Sequence, residues 1–297
     1  MVELGRLLTA MVTPMHIDGS VDWEQTRRLA KGLIDSGSDG MVVGATTGEG
    51  PTLSHEEKIR LWGEAKAVVG DTGSIVANTG NYSTADSIQL SREAEEVGVD
   101  GLLLVVPYYN KPPQEGIYRH FKAIAESTHL PCILYNIPGR TGTKMSLETT
   151  IKVSQIDNIV GVKDATEDFE LMAHVIDKAE DGFNIWSGND GDTFQLMCLG
   201  GYGVICVVAN LYAAQMKHMM ELTLSGNLFQ AAEEHRRLLP ICKGMTEIAS
   251  NPIPVKYAMN KLGFSVGDPR LPLVPADTSM ASKIDSLLGS YSVDLPI

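Results

Sequence analysis

The chain has 297 residues, 43% of them hydrophobic, a mean hydropathy of −0.01 and a formal net charge of −13. This composition is typical of a soluble globular protein with a large core, and the negative charge disfavours nucleic acid as a partner. No stretch approaches the roughly 18 apolar residues that cross a membrane, so we expect no membrane partner. The four cysteines show neither CxxC pairing nor metal-ligand spacing, which favours a reducing, cytoplasmic location.

Short apolar runs rich in β-branched residues alternate with segments of helical periodicity up to residue 210. Continuous apolar strands between amphipathic helices predict a parallel sheet covered on both faces. Eight such units close a (β/α)8 TIM barrel, which is the fold class we expect. The predicted strands are 7–12, 40–44, 74–77, 101–106, 132–135, 159–163, 184–186 and 204–208.

The predicted helices follow the strands at the spacing of a barrel, and several begin with a capping residue followed by an acid, as at Ser54 and Glu57. No strand-like run remains after Asn210. We therefore expect a catalytic barrel over residues 1–224 and a C-terminal helical domain over residues 225–297. The predicted helices are 23–36, 55–69, 84–97, 114–127, 146–154, 168–178, 192–199, 213–224, 228–248, 253–262 and 279–288.

The loop after the second predicted strand is rich in glycine and carries two adjacent hydroxyls, Thr46 and Thr47. Glycines permit a tight turn with exposed backbone N–H groups, so this loop could bind a carboxylate. It is not a phosphate-binding Walker loop, because no Gly-Lys-Ser/Thr follows. The alternative is an ordinary glycine-rich turn.

The loop after the fourth predicted strand, residues 107–113, carries two tyrosines, Tyr108 and Tyr109, among polar residues and prolines. Exposed tyrosines of this kind often pack at a subunit interface. A catalytic role is compatible with that position, so both interpretations stay open.

Lys163 ends the sixth predicted strand, and Tyr135 ends the fifth. Neighbouring strands of a barrel direct their carboxyl ends to the same mouth, where active sites are built. Burial lowers the pKa of a lysine, so Lys163 could be a neutral amine that condenses with a carbonyl. Tyr135 could transfer protons beside it, and Arg140 could bind a carboxylate through two hydrogen bonds. The alternative is a solvated lysine, an interior tyrosine and a surface arginine.

The seventh and eighth predicted strands bring backbone close to the same mouth, at Gly188 and Ile205. A metal site is not expected, because the seven histidines are scattered and His55-Glu56 lacks a second histidine one turn later. Neither a dinucleotide-binding fingerprint nor a GxSxG elbow is present. Lysine-imine chemistry without a cofactor is the hypothesis that remains.

These segments together resemble the signature of the dihydrodipicolinate synthase/N-acetylneuraminate lyase superfamily, and the resemblance covers essentially the whole chain. It implies an eight-stranded barrel, a C-terminal helical domain and a homotetramer built as a dimer of dimers. The segments that carry it are 44–49, 107–112, 135–142, 161–163 and 187–190.

The resemblance also implies the roles of the site residues. Lys163 would form an imine with pyruvate, whose carboxylate Thr46 and Thr47 would hold. The resulting enamine would attack L-aspartate 4-semialdehyde, whose carboxylate Arg140 would bind. The implied proton relay consists of Tyr135, Thr47 and Tyr109, the last reaching in from the adjacent subunit, and the backbone at Gly188 and Ile205 would line the pocket.

In many members of this superfamily L-lysine inhibits at a cleft between subunits. The resemblance places Lys58 where a histidine is usual and Tyr82 where an asparagine is usual. Because a cation would repel a lysine ligand and a phenol would crowd the cleft, we expect weak or absent inhibition. The matching cleft positions are Gly50, Pro51, His55, Lys58, Tyr82, Asp86 and Tyr108.

Three other functions are considered. A sialic acid or 2-keto-3-deoxy sugar acid aldolase would use the same lysine, but Arg140 suits an anionic second substrate better than a sugar. A catalytically silent barrel that binds small acids would not need the complete set of site residues. A metal-dependent barrel hydrolase would lose its activity to a chelator, and we expect no such loss.

Overall fold

The structure is a computed structural model, and it describes residues 3–297. Every strand lies beside its neighbour in sequence, all pairings are parallel, and the first strand pairs with the last to close the barrel. The fold class predicted from the sequence is confirmed. The strands are β1 (Leu7–Ala10), β2 (Gly40–Val43), β3 (Ser74–Asn78), β4 (Gly101–Val105), β5 (Cys132–Asn136), β6 (Ile159–Asp164), β7 (Asn184–Ser187) and β8 (Gly203–Cys206).

The strands are buried almost throughout, as a parallel sheet covered by helices requires. Helices occupy the connections and the C-terminal region, and the helix bounds agree with the sequence prediction to within a few residues. They are α1 (Trp23–Asp35), α2 (His55–Val69), α3 (Thr84–Val97), α4 (Gln114–Ala125), α5 (Pro138–Thr141), α6 (Leu147–Ser154), α7 (Phe169–Lys178), α8 (Thr193–Cys198), α9 (Ala209–Leu224), α10 (Leu228–Glu247), α11 (Ile253–Lys261) and α12 (Thr278–Leu288).

Two elements differ from the prediction for identifiable reasons. The predicted strand 204–208 ends at Cys206, because the next two backbone N–H groups, of Val207 and Val208, donate to the Asp190 carboxylate. The short helix α5 lies in a segment whose proline and glycine gave no helical pattern in the sequence. The shortened strand leaves a buried carboxylate beside the mouth of the barrel.

Helices α10 to α12 form the C-terminal region. Helix α9 packs against β1 and α8, whereas α10 packs against α9 and beside residues 190–192. The turn from α10 to α11 therefore reaches the carboxyl ends of the strands. The division at residues 224 and 225 stays a prediction. Within residues 3–297, no helix combines the length and the apolar character that a membrane crossing needs.

Candidate active site

A cavity of about 320 Å³ opens at the carboxyl ends of the strands. This is the end of a TIM barrel at which enzymes of this fold place their active sites. The barrel and the C-terminal region both contribute to its walls. Its lining includes Thr46, Thr47, Tyr135, Arg140, Lys163, Glu167, Gly188, Asn189, Asp190, Val207, Lys243, Glu247 and Asn251.

Lys163 lies on β6 directly opposite Tyr135 on β5, and its Nζ is 4.3 Å from the centre of the phenol ring. The side chain is 5% exposed and forms no ion pair with any residue between 3 and 297. The pKa of Lys163 is lowered to about 8, chiefly by burial; Asp190 and Cys206 oppose this shift, and the charge of Arg140 adds to it. At pH 7 about one molecule in ten therefore carries the neutral amine that attacks carbonyls.

Tyr135 stays a neutral phenol at physiological pH. Burial raises its pKa, while the charge of Arg140 and a hydrogen bond with the Thr46 side chain act in the opposite direction. A neutral phenol can both donate and accept a proton. The position of Tyr135 beside the Lys163 amine therefore suits proton transfer at a group bound to that amine.

The loop between β2 and α2 is held in a tight conformation that brings its hydroxyls to the cavity. At Gly50 an added Cβ would lie 2.0 Å from the Gly44 carbonyl oxygen, so only glycine fits there. The Thr13 hydroxyl donates to the Gly48 carbonyl at 2.7 Å and ties the loop to the end of β1. Such a close turn leaves Thr46 and Thr47 adjacent on the cavity wall.

The two threonines have different partners. The Thr46 side chain lies near enough to the Tyr135 phenol to lower its pKa, whereas the Thr47 oxygen accepts a hydrogen bond of 2.9 Å from Asn251 Nδ2. The relay inferred from the resemblance named Thr47. The structure adds Thr46 as a second hydroxyl on the same cavity wall as the phenol, and Thr47 bonds to Asn251 of the C-terminal region.

Asp190 organises the backbone beside Lys163. Its buried carboxylate accepts from the Val207 and Val208 N–H groups, the shortest bond being 2.7 Å. The Gly188 N–H donates to the Asp164 carbonyl at 2.7 Å, and a Cβ on Gly188 would lie 2.6 Å from the Ala165 Cβ. Gly188 therefore lines the cavity with its backbone.

Two predicted site residues are not brought into the cavity. Ile205 on β8 is fully buried, and the cavity wall beyond that strand is formed instead by Val207. Tyr109 is 91% exposed and has a left-handed backbone, with φ of 69°. Sequence reasoning had no signal for Asn251, which stands far from any predicted strand, and it gave no role to Asp190, although segment 187–190 was singled out after the seventh predicted strand.

A second cavity, of about 230 Å³, adjoins the first and shares Thr46, Tyr135 and Arg140 with it. Four of the predicted cleft residues line it, namely Gly50, Pro51, Lys58 and Tyr108. The other three lie outside its lining. His55 Nε2 is 2.8 Å from a Glu93 carboxylate oxygen, Tyr82 meets Tyr108 edge-on at 5.2 Å, and Asp86 is exposed near the start of α3.

The described part of the chain contains no group of three or more His, Cys, Asp or Glu side chains placed to bind a metal ion. Among the charged groups that line the cavity, Lys163, Arg140 and Asp190 lie on or after the barrel strands. The arrangement can therefore bind a small carboxylate, present a neutral amine to its carbonyl carbon and transfer protons through a phenol.

Comparison with known proteins gives a consistent result. The profile of the Dihydrodipicolinate synthetase family matches residues 3–290. A 4-hydroxy-tetrahydrodipicolinate synthase of Dehalococcoides mccartyi is 52% identical over 297 residues, covering 100% of both chains. The crystal structure of a dihydrodipicolinate synthase from Bacillus anthracis superposes with a TM-score of 0.96, at 42% identity, over 98% of this chain and 100% of that one. A monomeric dihydrodipicolinate synthase variant gives a TM-score of 0.93, at 38% identity, over 97% of each chain.

Proposed function

The chain belongs to the dihydrodipicolinate synthetase family, and we propose that Lys163 is the amine through which it acts. The activity is that of a lyase that condenses pyruvate with L-aspartate 4-semialdehyde to 4-hydroxy-tetrahydrodipicolinate, the first committed step of diaminopimelate and L-lysine biosynthesis. The observation that supports the role of Lys163 is a buried amine that forms no ion pair within residues 3–297 and lies 4.3 Å from the ring centre of Tyr135.

The first step joins Lys163 to pyruvate. The neutral amine attacks the ketone carbon, and the resulting carbinolamine loses water to give a protonated imine. In this proposal Tyr135, whose ring centre is 4.3 Å from Lys163 Nζ, supplies a proton to the departing hydroxyl. The positive imine nitrogen then withdraws electrons, the pyruvate methyl group returns a proton to the Tyr135 phenolate, and an enamine forms.

The second step makes the carbon–carbon bond. The enamine carbon attacks the aldehyde of L-aspartate 4-semialdehyde, and the aldehyde oxygen takes up a proton. The amine of the same substrate then attacks the imine carbon, which closes the ring and releases Lys163. The water lost during imine formation is the only molecule expelled before the cyclic product leaves.

Two groups of donors bind the substrate carboxylates in this proposal. The Thr46 and Thr47 hydroxyls lie on the wall beside Lys163 and would bind the pyruvate carboxylate. Arg140 is exposed at the mouth, forms no ion pair within residues 3–297 and would bind the carboxylate of the semialdehyde through its planar fork. The chain has a net charge of −13, so an anionic substrate needs a local positive group, and the Arg140 guanidinium, unpaired within residues 3–297, is such a group.

The assembly we propose is a homotetramer, arranged as a dimer of dimers. Tyr109 supports a subunit contact, since it is 91% exposed on a loop with left-handed residues at both Tyr109 and Lys111. In this proposal Tyr109 enters the relay of the adjacent subunit. We also propose a cytoplasmic location, which suits the four free cysteines.

Borohydride trapping tests the role of Lys163. The protein is incubated with pyruvate, reduced, digested and analysed by mass spectrometry, with and without L-aspartate 4-semialdehyde. We expect a pyruvate adduct on Lys163 that turnover with the semialdehyde removes. An adduct on another residue, or no adduct, would contradict the proposal.

Arg140→Leu provides the matched control for the second substrate. This variant should still form the adduct on Lys163, because the pyruvate donors are unchanged. A given concentration of semialdehyde should discharge its adduct far more slowly than that of the unaltered protein. Equal rates of discharge would show that Arg140 does not bind the second substrate.

A further inference from the structure

Asn251 joins the C-terminal region to the loop that carries the two threonines. It stands in the turn between α10 and α11, lines the same cavity as Lys163, and donates from Nδ2 to Thr47 Oγ1 at 2.9 Å. This hydrogen bond spans 204 residues of sequence. The Asn251 Oδ1 is buried and has no hydrogen-bond partner within residues 3–297.

The direction of this hydrogen bond determines what the Thr47 hydroxyl can do. A hydroxyl has one proton to donate and two lone pairs to accept with. Because the Asn251 amide occupies a lone pair, the Thr47 proton is directed to another acceptor. Thr47 is only 2% exposed and lines the cavity, so the acceptor lies in the cavity rather than at the protein surface.

We propose that Asn251 is a positioning residue for pyruvate, which makes the Thr47 hydroxyl a hydrogen-bond donor towards the pyruvate carboxylate. This inference rests on the proposed function, in which Thr47 binds that carboxylate. A hydroxyl whose proton is already directed into the cavity needs no rearrangement when the anion arrives. Asn251 thus acts through Thr47 and affects pyruvate rather than the semialdehyde.

Neighbouring contacts fix the position of Asn251 relative to the threonine loop, which is the loop between β2 and α2 that carries Thr46 and Thr47. Lys256 on α11 forms an ion pair of 2.8 Å with Glu49 of the loop, and both side chains are 1% exposed. The backbone N–H of Arg270 donates to the other Glu49 oxygen at 2.7 Å. The loop is therefore attached to the C-terminal region at Thr47 and again at Glu49, so the Asn251 amide has a defined target.

Two substitutions at this position separate positioning from packing. In Asn251→Ala the Thr47 hydroxyl loses its directing donor, and we expect about a tenfold rise in half-saturating pyruvate. In Asn251→Asp the carboxylate accepts the Thr47 proton and turns it away from pyruvate, so the rise should be larger. A residue that only fills space gives the opposite order, because aspartate keeps the shape of asparagine and alanine does not.

The measurement is the pyruvate concentration that gives half-maximal borohydride trapping on Lys163. It requires neither the semialdehyde nor turnover. Initial rates then provide the KM for each substrate, and we expect the KM for pyruvate to rise while that for the semialdehyde stays unchanged. An equal rise in both KM values, or an unchanged value for pyruvate, would overturn the inference.

A double-mutant cycle with Thr47→Val tests whether the effect passes through Thr47. Valine has nearly the shape of threonine but no hydroxyl, so Asn251→Ala should add nothing in that background. Additive effects of the two substitutions would show that Asn251 acts independently of Thr47. This result would overturn the inference even if each single variant binds pyruvate weakly.

Asn260→Ala is the matched control, since Asn260 lies nearby on α11 but bonds only to backbone, at Val266 and Gly267. It should lower the melting temperature and leave half-saturating pyruvate unchanged. Failure of the proposed function would appear differently, as the absence of any Lys163 adduct in the unaltered protein. A normal adduct with unaltered pyruvate dependence in both Asn251 variants would refute only the positioning role.

Discussion

Two lysines are buried within residues 3–297, one at the barrel mouth and one in the contact between the barrel and the C-terminal region. Lys163 is 5% exposed and Lys256 is 1% exposed. The Lys256 ammonium donates to Glu49 at 2.8 Å and to the carbonyls of Thr13 and Asp268 at 3.1 and 3.0 Å. Lys163 has no ion-pair partner in the described chain, and it faces the ring of Tyr135.

The difference shows that burial alone does not make a lysine reactive. Burial lowers the pKa of both side chains, but at Lys256 the Glu49 carboxylate opposes the effect at hydrogen-bond distance. All three ammonium protons of Lys256 have acceptors, so its nitrogen has no lone pair to offer. At Lys163 no ion pair with another described residue stabilises the ammonium charge, so the amine is readily deprotonated. The cavity also gives a carbonyl compound access to the amine.

The largest effect expected from this comparison is on turnover in Lys163→Met. Loss of the amine should reduce kcat by about a thousandfold, since no covalent intermediate can form. The folded Lys163→Met variant should be at least as stable as the unaltered protein. The pKa of Lys163 is lower in the folded state, so the ammonium costs stability below pH 8, and that cost disappears as pH rises from 8 towards 10.5.

Thermal unfolding at pH 7 and pH 10 checks the second part of this prediction. The gain in melting temperature from Lys163→Met should be larger at pH 7 than at pH 10. A variant that unfolds at a lower temperature than the unaltered protein at pH 7 would contradict it.

Lys256→Met should give the opposite result. Loss of the ammonium leaves the Glu49 carboxylate buried without a counter-ion, which costs about 3–5 kcal/mol of folding free energy. Chemical denaturation measures this loss. Lys261→Met is the matched control on the same helix, because its ion pair with Asp285 is largely exposed and should matter little. Similar losses in the two variants would remove the distinction between the buried and the exposed lysine.

The pH dependence of imine formation provides a third test. Only neutral Lys163 reacts, so the initial rate of adduct formation should rise about tenfold from pH 6 to pH 7 and level off above about pH 8. Rapid-quench borohydride trapping with saturating pyruvate measures this profile. A rate that still rises at pH 10 would mean that Lys163 titrates like an exposed lysine.

The smallest effect is expected from added L-lysine. Lys58 is half-buried in the second cavity, burial lowers its pKa, and it forms no ion pair within residues 3–297. We expect initial rates to stay nearly unchanged in submillimolar L-lysine. The double variant Lys58→His with Tyr82→Asn should become more sensitive, and strong inhibition of the unaltered protein would contradict the prediction.

Much of this architecture could be predicted from the sequence, because it depends on local patterns. Apolar strands between amphipathic helices predicted the barrel, and the strand-end rule placed Lys163 next to Tyr135. Asn251 and Lys256 could not be assigned in the same way, since their partners Thr47 and Glu49 lie about 200 residues away and are chosen by tertiary packing.

Tyr109 shows a second reason why a role could not be assigned from the sequence and one chain. Its exposure and left-handed backbone are properties of one chain, whereas its predicted role in the relay depends on a second copy. The roles of the individual site residues therefore remain predictions that the trapping experiments address.

The attachment of the threonine loop to residues 251–270 also has a consequence during synthesis of the chain. The loop leaves the ribosome early, but its anchors Asn251, Lys256 and Arg270 follow more than 200 residues later. The loop therefore cannot take its final form until the last part of the chain has been translated and has packed against it. The pyruvate site is therefore completed last, and a nascent chain that lacks residues 251–270 does not yet have it in its final conformation.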